Sequence, residues 1–480
     1  MDTDSKNTRG RLVLEAAHSA WARMAPVRAR RRRYARYTYG DQWSDPVRRR
    51  NGTVTTEGEK ASAAGHTPLT NNLIRRLVKA VVGRWRMEQS EKKENGVADS
   101  KGETGLWREF NGLDELDART LEEFLISGMA IHHVAREKRP AGEGVWADNV
   151  APDAFFINAV RDSRCTDMEL IGRLLDMSIG EVVMRFSRGD RQRALRLRRL
   201  YSALDGASPM SPSDTLADTT DGESFFHAHS GRCRVIEAWT LECRESLRCH
   251  DPLAATMSIV ATSHEEALRR ENARRRRRNL PMVESRWEMT TAWHCRMLAP
   301  DGTVLDEFDS PLEGGVPPFA VKLYPMVDGD VHSLVEDVID QQRYVNRLIS
   351  LMDRMMGTAA KGVLLYPTGC KPDGQKWEEV TRMWADPGGV IPYRPYQGTE
   401  PHQVVTPVAD IGARDMLQTQ MKMFEEVSGV TGAMMGKAGN GVVGVDRYES
   451  EVRNASISVC DLMRTFSDFI KKRDRLISLA

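Results

Sequence analysis

The sequence predicts a mainly α-helical chain interrupted by an α+β insertion, and three observations predict it. First, Val331, Leu334, Val335, Val338, Ile339, Gln342, Val345, Leu348, Ile349 and Met352 recur at spacings of three and four. That is the period of one helix face, sustained over about six turns. Second, Ile457, Cys460, Leu462 or Met463, Phe466, Phe469 and Ile470 form a similar stripe in a predicted helix over 446–479. Third, the rhythm becomes strand-like over 232–241 and 290–298, with the turn signal Ala299-Pro300-Asp301-Gly302 after the second run. A chain of 480 residues exceeds what one hydrophobic core supports, so two or more domains are expected.

Residues 1–66 read as a basic N-terminal arm: a short helix near 11–23, an arginine run and a polar stretch over 51–66. Arg28, Arg30, Arg31, Arg32 and Arg33, followed by Tyr34 and Tyr37, suit phosphate contact with interleaved aromatics, and Arg48, Arg49 and Arg50 add to the cluster. A flexible basic arm, or a contact to acidic neighbours, is the plainer reading of such a run. Residues 67–228 form a largely helical region. Its first helix follows Pro68, with Thr70, Asn71 or Asn72 available as N-cap. Leu73, Ile74, Leu77, Val78, Val81, Val82 and Trp85 face one way, and Arg75, Arg76, Lys79 and Arg86 the other. After a break over 88–102, helices are predicted over 112–119 and 120–136. The second contains His132 and His133, which lack the H-E-x-x-H spacing of a zinc site and read as packing or surface residues. A short strand over 155–158 precedes helices over 168–175 and 179–186, the latter capped by Ser178, then an Arg-rich helix over 192–204 and a loop over 208–222.

Residues 229–330 hold the α/β insertion, with a polar helix over 264–279 ending in Arg274, Arg275, Arg276, Arg277 and Arg278. That run reads equally as a DNA or acidic-partner contact and as a solvated face. Cys243, Cys249 and His250 are too far apart, and lack a second close cysteine pair, to specify structural zinc. Residues 331–356 are the long helix, a strut suited to packing beside its equivalent in a neighbouring subunit. Residues 357–480 contain a strand over 361–366, a short helix over 376–383, a turn over 387–389, a helix over 413–427 and the terminal helix. Gly429, Gly432, Gly436, Gly439, Gly441 and Gly444 interrupt the last two.

Charge and composition narrow the function. The 69 Lys and Arg against 68 Asp and Glu leave a net charge of +1, so no overall field draws the chain onto a polyanion. A DNA wrapper or repressor would be more basic; near-neutrality suits self-association, or letting DNA slide past without holding it. With a mean hydropathy of -0.48 and no run approaching a membrane span, the chain reads as soluble, with no membrane partner. The polar start Met1-Asp2-Thr3-Asp4-Ser5 argues against a secretory leader, and seven dispersed cysteines read as reduced thiols.

Enzyme signatures fail in order. Gly432 and Gly436 are separated by three residues rather than the four of a phosphate loop, and Lys437 is followed by Ala438. No G-x-S-x-G occurs, and Asp328-Gly329-Asp330 lacks the remaining ligands of a calcium loop. No catalytic, metal or cofactor residue is assigned.

Several segments resemble bacteriophage portal proteins, particularly those of short-tailed phages. These are Arg33-Tyr34-Ala35-Arg36-Tyr37-Thr38-Tyr39-Gly40-Asp41-Gln42-Trp43, Asn71-Asn72-Leu73-Ile74 with Val81-Val82-Gly83, and Val235-Ile236-Glu237-Ala238-Trp239. Further along come Asp301-Gly302-Thr303-Val304-Leu305, Ser310-Pro311 with Pro317-Pro318-Phe319, Ser428-Gly429-Val430-Thr431-Gly432 and Asn454-Ala455. The strongest match is Asp340-Gln341-Gln342-Arg343-Tyr344-Val345-Asn346-Arg347-Leu348, continuing to Asp353 and Lys361-Gly362. The resemblance implies a portal fold of wing, stem and clip, with long helices around an axial channel in a ring of about twelve subunits. It implies passage of double-stranded DNA without sequence specificity and docking to the terminase large subunit, to capsid or scaffold protein and to a head-completion or tail adaptor. It places the protein at the portal vertex of the virion, and in host cytoplasm during assembly. By the same analogy 331–356 lies near the stem, 264–279 in the clip, and any crown beyond the wing is small or absent. Another phage head or tail protein and a DNA-dependent packaging enzyme are the alternatives.

Overall fold

Apolar side chains on alternate positions of the strand Cys233–Asp251 point to two different cores, and that alternation organises the larger part of the molecule. Val235 and Trp239 enter one core with Phe155, Ile157, Ile171, Cys295, Met297 and Phe319. Ile236 and Ala238 enter the other with Phe156, Leu170, Leu174, Leu298 and the N-terminal residues Leu14, Ala17, Ala20 and Trp21. The computed structural model describes residues 3–49, 51–63, 67–94, 103–139, 142–162, 164–206, 224–228, 231–324, 326–327, 329–361, 363–385, 390–398, 400–404, 412–430 and 445–480. The predicted loop over 208–222, the turn over 387–389 and the glycines from Gly432 to Gly444 lie outside them.

Two compact units divide the chain. One gathers Met1–Tyr34, Lys79–Leu334 and Ile457–Ala480, the other Ala35–Val78 and Val335–Ser456. The first unit is built on an antiparallel sheet in the order Val304–Asp309, Glu284–Leu298, Cys233–Asp251, Leu170–Met177 and Phe155–Ile157, with Thr256–Ala261 added to the far end of Cys233–Asp251. The helix Thr3–Arg23 covers one face. Over the other lie the helices Ile179–Phe186 and Arg191–Gly206 and a second sheet, Phe319–Leu323, Met129–Arg139 and Gly142–Asn149. The fold is thus mixed α/β, and its strands are not confined to 229–330.

Two helix expectations are corrected to strands, for one physical reason. Of the helix expected over 168–175, residues 170–175 fall in the strand Leu170–Met177, and of that over 120–136, residues 129–136 fall in the strand Met129–Arg139. Both strands are covered on both faces, so their apolar residues run together and lose the alternation that marks a strand. The preceding helix, Leu113–Ser127, stops at Gly128. Its φ of +73° is left-handed, its N–H reaches Phe124 O at 2.8 Å, and any Cβ there would collide with His332 O. Other expectations match. Ser178 caps Ile179–Phe186 in a capping box with Glu181, and Asn72 Oδ1 accepts from Arg75 N at 2.9 Å ahead of Leu73–Glu94. The turn at 299–302 closes with Gly302 N to Ala299 O at 2.9 Å. The predicted break from 88 begins late, since this helix continues to Glu94.

Beyond the core, the strands Cys233–Asp251 and Glu284–Leu298 continue as a twisted ribbon. Trp293 to Leu298 are buried or half-buried, whereas 284–287 are exposed. At its tip Thr256–Ala261 and the helix Glu265–Arg277 enclose a satellite core of Leu247, Cys249 and Val283, with Val260 and Leu268 against it.

The second unit centres on the helix Leu334–Lys361, longer than the predicted stripe. Around it are the hairpin Pro46–Arg48 and Val54–Thr56, the helix Glu57–Ala63, the strand pair Val363–Leu365 and His402–Val404, and the helices Trp377–Ala385 and Ala413–Ser428. Val335, Val338, Ile339, Val345 and Leu348 are buried within the chain, while Leu351 and Met356 are exposed. The terminal helix Val445–Ser478 buries Val459, Leu462, Phe466, Phe469, Leu476 and Ile477. Both stripes therefore find most of their partners within the chain, and on the long helix the exposed apolar residues named here lie towards its far end.

Candidate functional site

The long helix carries a polar stripe on its buried side. Gln342, Asn346 and Ser350 are four residues apart, a step of about 6 Å along the axis. Alternate amides of an extended chain are about 6.6 Å apart, close to that step. The segment 69–73 runs past the helix in the opposite sense, and each side chain meets the next alternate N–H. Ser350 Oγ accepts from Leu69 at 3.1 Å, Asn346 Oδ1 from Asn71 at 3.0 Å, and Gln342 Oε1 from Leu73 at 2.8 Å and Ile74 at 3.3 Å. Gln342 Nε2 donates to Asn71 O at 2.6 Å and Asn346 Oδ1 at 3.0 Å. Asn346 Nδ2 donates to Gln42 Oε1 at 2.5 Å, and Gln42 Nε2 to Tyr37 O at 2.8 Å. Every amide group of Gln342 and Asn346 is therefore engaged inside the unit.

On the flank of the same helix, Arg343 Nη2 reaches Glu57 at 3.2 Å and Arg347 Nε reaches it at 2.8 Å. Asp340 is exposed, 3.6 Å from Arg343; Gln341 is half-buried and Asp353 exposed. The segment singled out by its pattern is thus a scaffold that threads an irregular stretch of backbone. Glu57 and Gln42 are its unforeseen partners: nothing in a lone Glu or Gln of a polar stretch signals a contact 286 to 304 residues away.

The N-terminal arginines lie on the helix Ala25–Tyr39 and are used inside the fold, in place of a flexible arm. Arg28 is buried, stacks 3.6 Å above the Trp21 ring and donates to Trp21 O at 2.6 Å. Arg30 reaches Val331 O at 3.3 Å and Asp330 at 3.7 Å. Arg31 bridges Glu123, at 2.8 and 2.9 Å, and Asp153, at 2.9 Å. Arg32 and Arg33 are half-buried. The amphipathic spacing of Leu14, Ala17, Trp21 and Met24 is the signal that this region belongs to a core.

At the ribbon tip the second arginine run divides. Leu268, Asn272 and Arg275 face inward at helical spacing. Asn272 Nδ2 donates to Val283 O at 2.9 Å, its Oδ1 accepts from Val283 N at 2.8 Å, and Arg275 grips Asp251 at 2.6 and 2.7 Å. That grip holds the Asp251 carboxyl down to about 2. Arg274 is 3.7 Å from Glu271, and among the described residues Arg276, Arg277 and Arg278 form no ion pair. All three sit at the negative end of the helix dipole, where cations are favoured.

A third polar group was not foreseen. Glu237, fully buried on the central strand, accepts from Arg173 Nε at 2.7 Å, Trp239 Nε1 at 2.9 Å and His133 Nε2 at 3.1 Å. Burial pushes its carboxyl up, but Arg173 and His133 outweigh this and hold it well below the usual range. His132, beside Thr120 at 2.7 Å, is driven by burial down to about 3, with Arg473 adding to the shift. Glu237, His132, His133 and Arg173 are all buried.

Among the described residues no group of three or more His, Cys, Asp or Glu side chains is placed to hold a metal ion. None of their helices is long and apolar enough to cross a membrane. Cys243 is exposed and Cys249 buried. The polar side chains singled out here thread backbone, and the arginines tie helices to strands, so both serve the fold itself. The chain belongs to the Phage P22-like portal protein family, whose model matches residues 14–446. A comparison with curated proteins finds no match. As a portal protein it is a structural, non-catalytic component of the tailed-phage virion, located at the capsid vertex that joins head to tail, with a role in genome packaging and interactions of the portal kind with DNA, terminase and capsid.

Proposed function

We propose that copies of this chain close into a ring of about twelve around an axial channel, through which double-stranded DNA enters during packaging and leaves on ejection. The observation that carries this reading is the family match over 14–446. Exposed apolar residues on the two helices flanking 362–412 support it: Leu351 and Met356 on the first, Met416, Met423 and Val427 on the second. A ring repeats one heterologous interface, and such residues suit it. The terminase large subunit, a capsid or scaffold protein and a head-completion or tail adaptor dock on the ring. In this reading 1–66, 67–228 and 357–480 contribute to the wing and channel-proximal region, and 331–356 to the stem.

Two segments are candidates for the clip. The first is 229–330, whose ribbon tip carries Arg274 to Arg278. The second is favoured by element order: the long helix is followed in sequence by Val363–Leu365, whose partner strand His402–Val404 precedes Ala413–Ser428. If the long helix is the stem, whatever follows its far end lies at the end of the channel.

Negative-stain microscopy with native mass measurement tests the ring, expecting closed particles with a central hole and a mass near twelve times 54.1 kDa. Shells or tubes overturn it. Gold labels inserted at the turn 252–255 or at 372–374 then assign the clip, because only the clip label appears at the narrow end.

A further inference from the structure

The helix Arg191–Gly206 buries one side, and no described residue covers the other. Leu197 and Tyr201 are buried, Leu200 and Leu204 pack partly against the same core, and the Tyr201 hydroxyl donates to Arg234 O at 2.8 Å. Helical spacing therefore turns Arg191, Leu195, Arg198 and Arg199 outward, and all four are exposed. Arg191 and Arg198 are about 10.5 Å apart along the axis. Over 179–206 the sequence has seven arginines against three carboxylates, in a chain whose net charge is only +1.

The partners of these arginines separate an inner from an outer set. Arg185 pairs with Glu137 at 3.2 Å, Arg188 with Asp306, and Arg196 with Asp190 at 3.9 Å. Arg193 donates to Leu305 O. Among the described residues Arg191, Arg198 and Arg199 form no ion pair. The helix Glu265–Arg277 is the comparison surface: Glu265 meets Arg269, Glu266 meets Arg270 and Glu271 meets Arg275 one turn away, while Arg276, Arg277 and Arg278, gathered at its C-terminal end, form no ion pair among the described residues.

We propose that the outer face of Arg191–Gly206 is a contact surface for duplex DNA, gripping backbone phosphates without reading sequence. The inference rests on the reading of this chain as one that handles DNA. Guanidinium forks on a rigid helix match phosphate oxygens, and three exposed ones that form no ion pair among the described residues suit a continuous polyanion. A protein partner would need an apolar anchor seated in a pocket. The groove on the helix's inner flank does not supply an anion pocket, because Asp306 and Glu307 face Arg188 and Arg193 there.

The test is fluorescence anisotropy of a labelled duplex of about 30 base pairs with the purified full chain, between 50 and 200 mM salt. Wild type is compared with R191Q/R198Q/R199Q and with R276Q/R277Q/R278Q. Loss of three phosphate contacts flattens the slope of log K against log salt by about 2.7. This is expected for the first variant and not for the second. An unchanged slope overturns the proposal, as does a loss confined to the second variant. Tighter binding of polyglutamate than of duplex, lost in the first variant, also overturns it and assigns the face to an acidic protein. Microscopy of the same samples separates the two readings: rings that ignore DNA sink this inference alone, whereas DNA binding by material that never forms rings sinks the ring alone.

Discussion

Each unit buries a polar network, and the two are opposite in kind. In the sheet-based unit a carboxylate gathers three donors, from Arg173, His133 and Trp239. In the unit around the long helix, neutral amides and a hydroxyl bind backbone N–H groups of 69–74. Charges in a dry interior attract strongly but lose hydration, so a buried ion network contributes little net stability and yet is damaging to break. Amides lose less hydration and cannot titrate. Their ladder has a two-residue repeat on one partner and a four-residue repeat on the other, so a slip by one residue removes every rung together. The ionic network ties strands already in register; the amide ladder sets the register of a segment that has no sheet to set it.

The comparison breaks most readily at Glu237. Glu237→Ala leaves Arg173 buried and uncompensated, with His133 and Trp239 also unpaired, and costs about 3–5 kcal/mol. The urea midpoint measures it; a change under 1 kcal/mol would show that water replaces the carboxylate and that the network is not dry. Gln342→Met keeps the shape of the side chain but strands the Leu73 and Ile74 N–H groups and the Asn71 carbonyl, and costs about 2–4 kcal/mol. Amide hydrogen exchange sharpens the point: protection at 69–74 falls selectively if the ladder sets register, and a uniform fall across the unit refutes that role.

This contrast also governs what the sequence made legible. The long helices were readable because Val335, Val338, Ile339, Val345 and Leu348 repeat their period in full view. So was the terminal stripe through Phe466 and Phe469. The strands Met129–Arg139 and Leu170–Met177 were not, since burial on both faces erases alternation and leaves runs that fit a helix equally well. The segment 340–353 was recognisable as a pattern. Its role was hidden, because the groups its amides bind are backbone, which carries no sequence signature. Glu237 sat in plain sight within Val235-Ile236-Glu237-Ala238-Trp239, where a carboxylate flanked by buried apolar residues on a strand implies a buried partner. Arg173 and His133 could not be named, because strand order was unknown.

Acid separates the two networks further. His132 has a folded-state value of about 3 against about 6.5 when unfolded, so below pH 6.5 the unfolded chain takes up a proton that the folded one refuses. Stability is fully present above pH 6.5 and declines as pH falls, by about 2 kcal/mol between 6.5 and 5. Glu237, held low, stays ionised in that window and adds its own loss only below the usual carboxylate range. Urea midpoints for wild type and His132→Gln at both pH values check this: the variant is expected to lose the share due to His132 and to keep the share due to His133, which burial also holds down, and an identical slope would mean His132 is hydrated.

The smallest effect is expected at the far end of the ladder. Ser350→Ala removes a single acceptor, leaving Leu69 N–H at a half-buried edge that water can reach, and costs about 1 kcal/mol. If the rungs act independently, combining it with Gln342→Met gives the sum of the single effects. Coupling through a shared register predicts otherwise: once Gln342 is lost the segment is free to shift, and Ser350→Ala then costs almost nothing more. A double-mutant cycle with a coupling near zero would leave the amide ladder a set of separate hydrogen bonds, no more cooperative than the ionic network it is contrasted with.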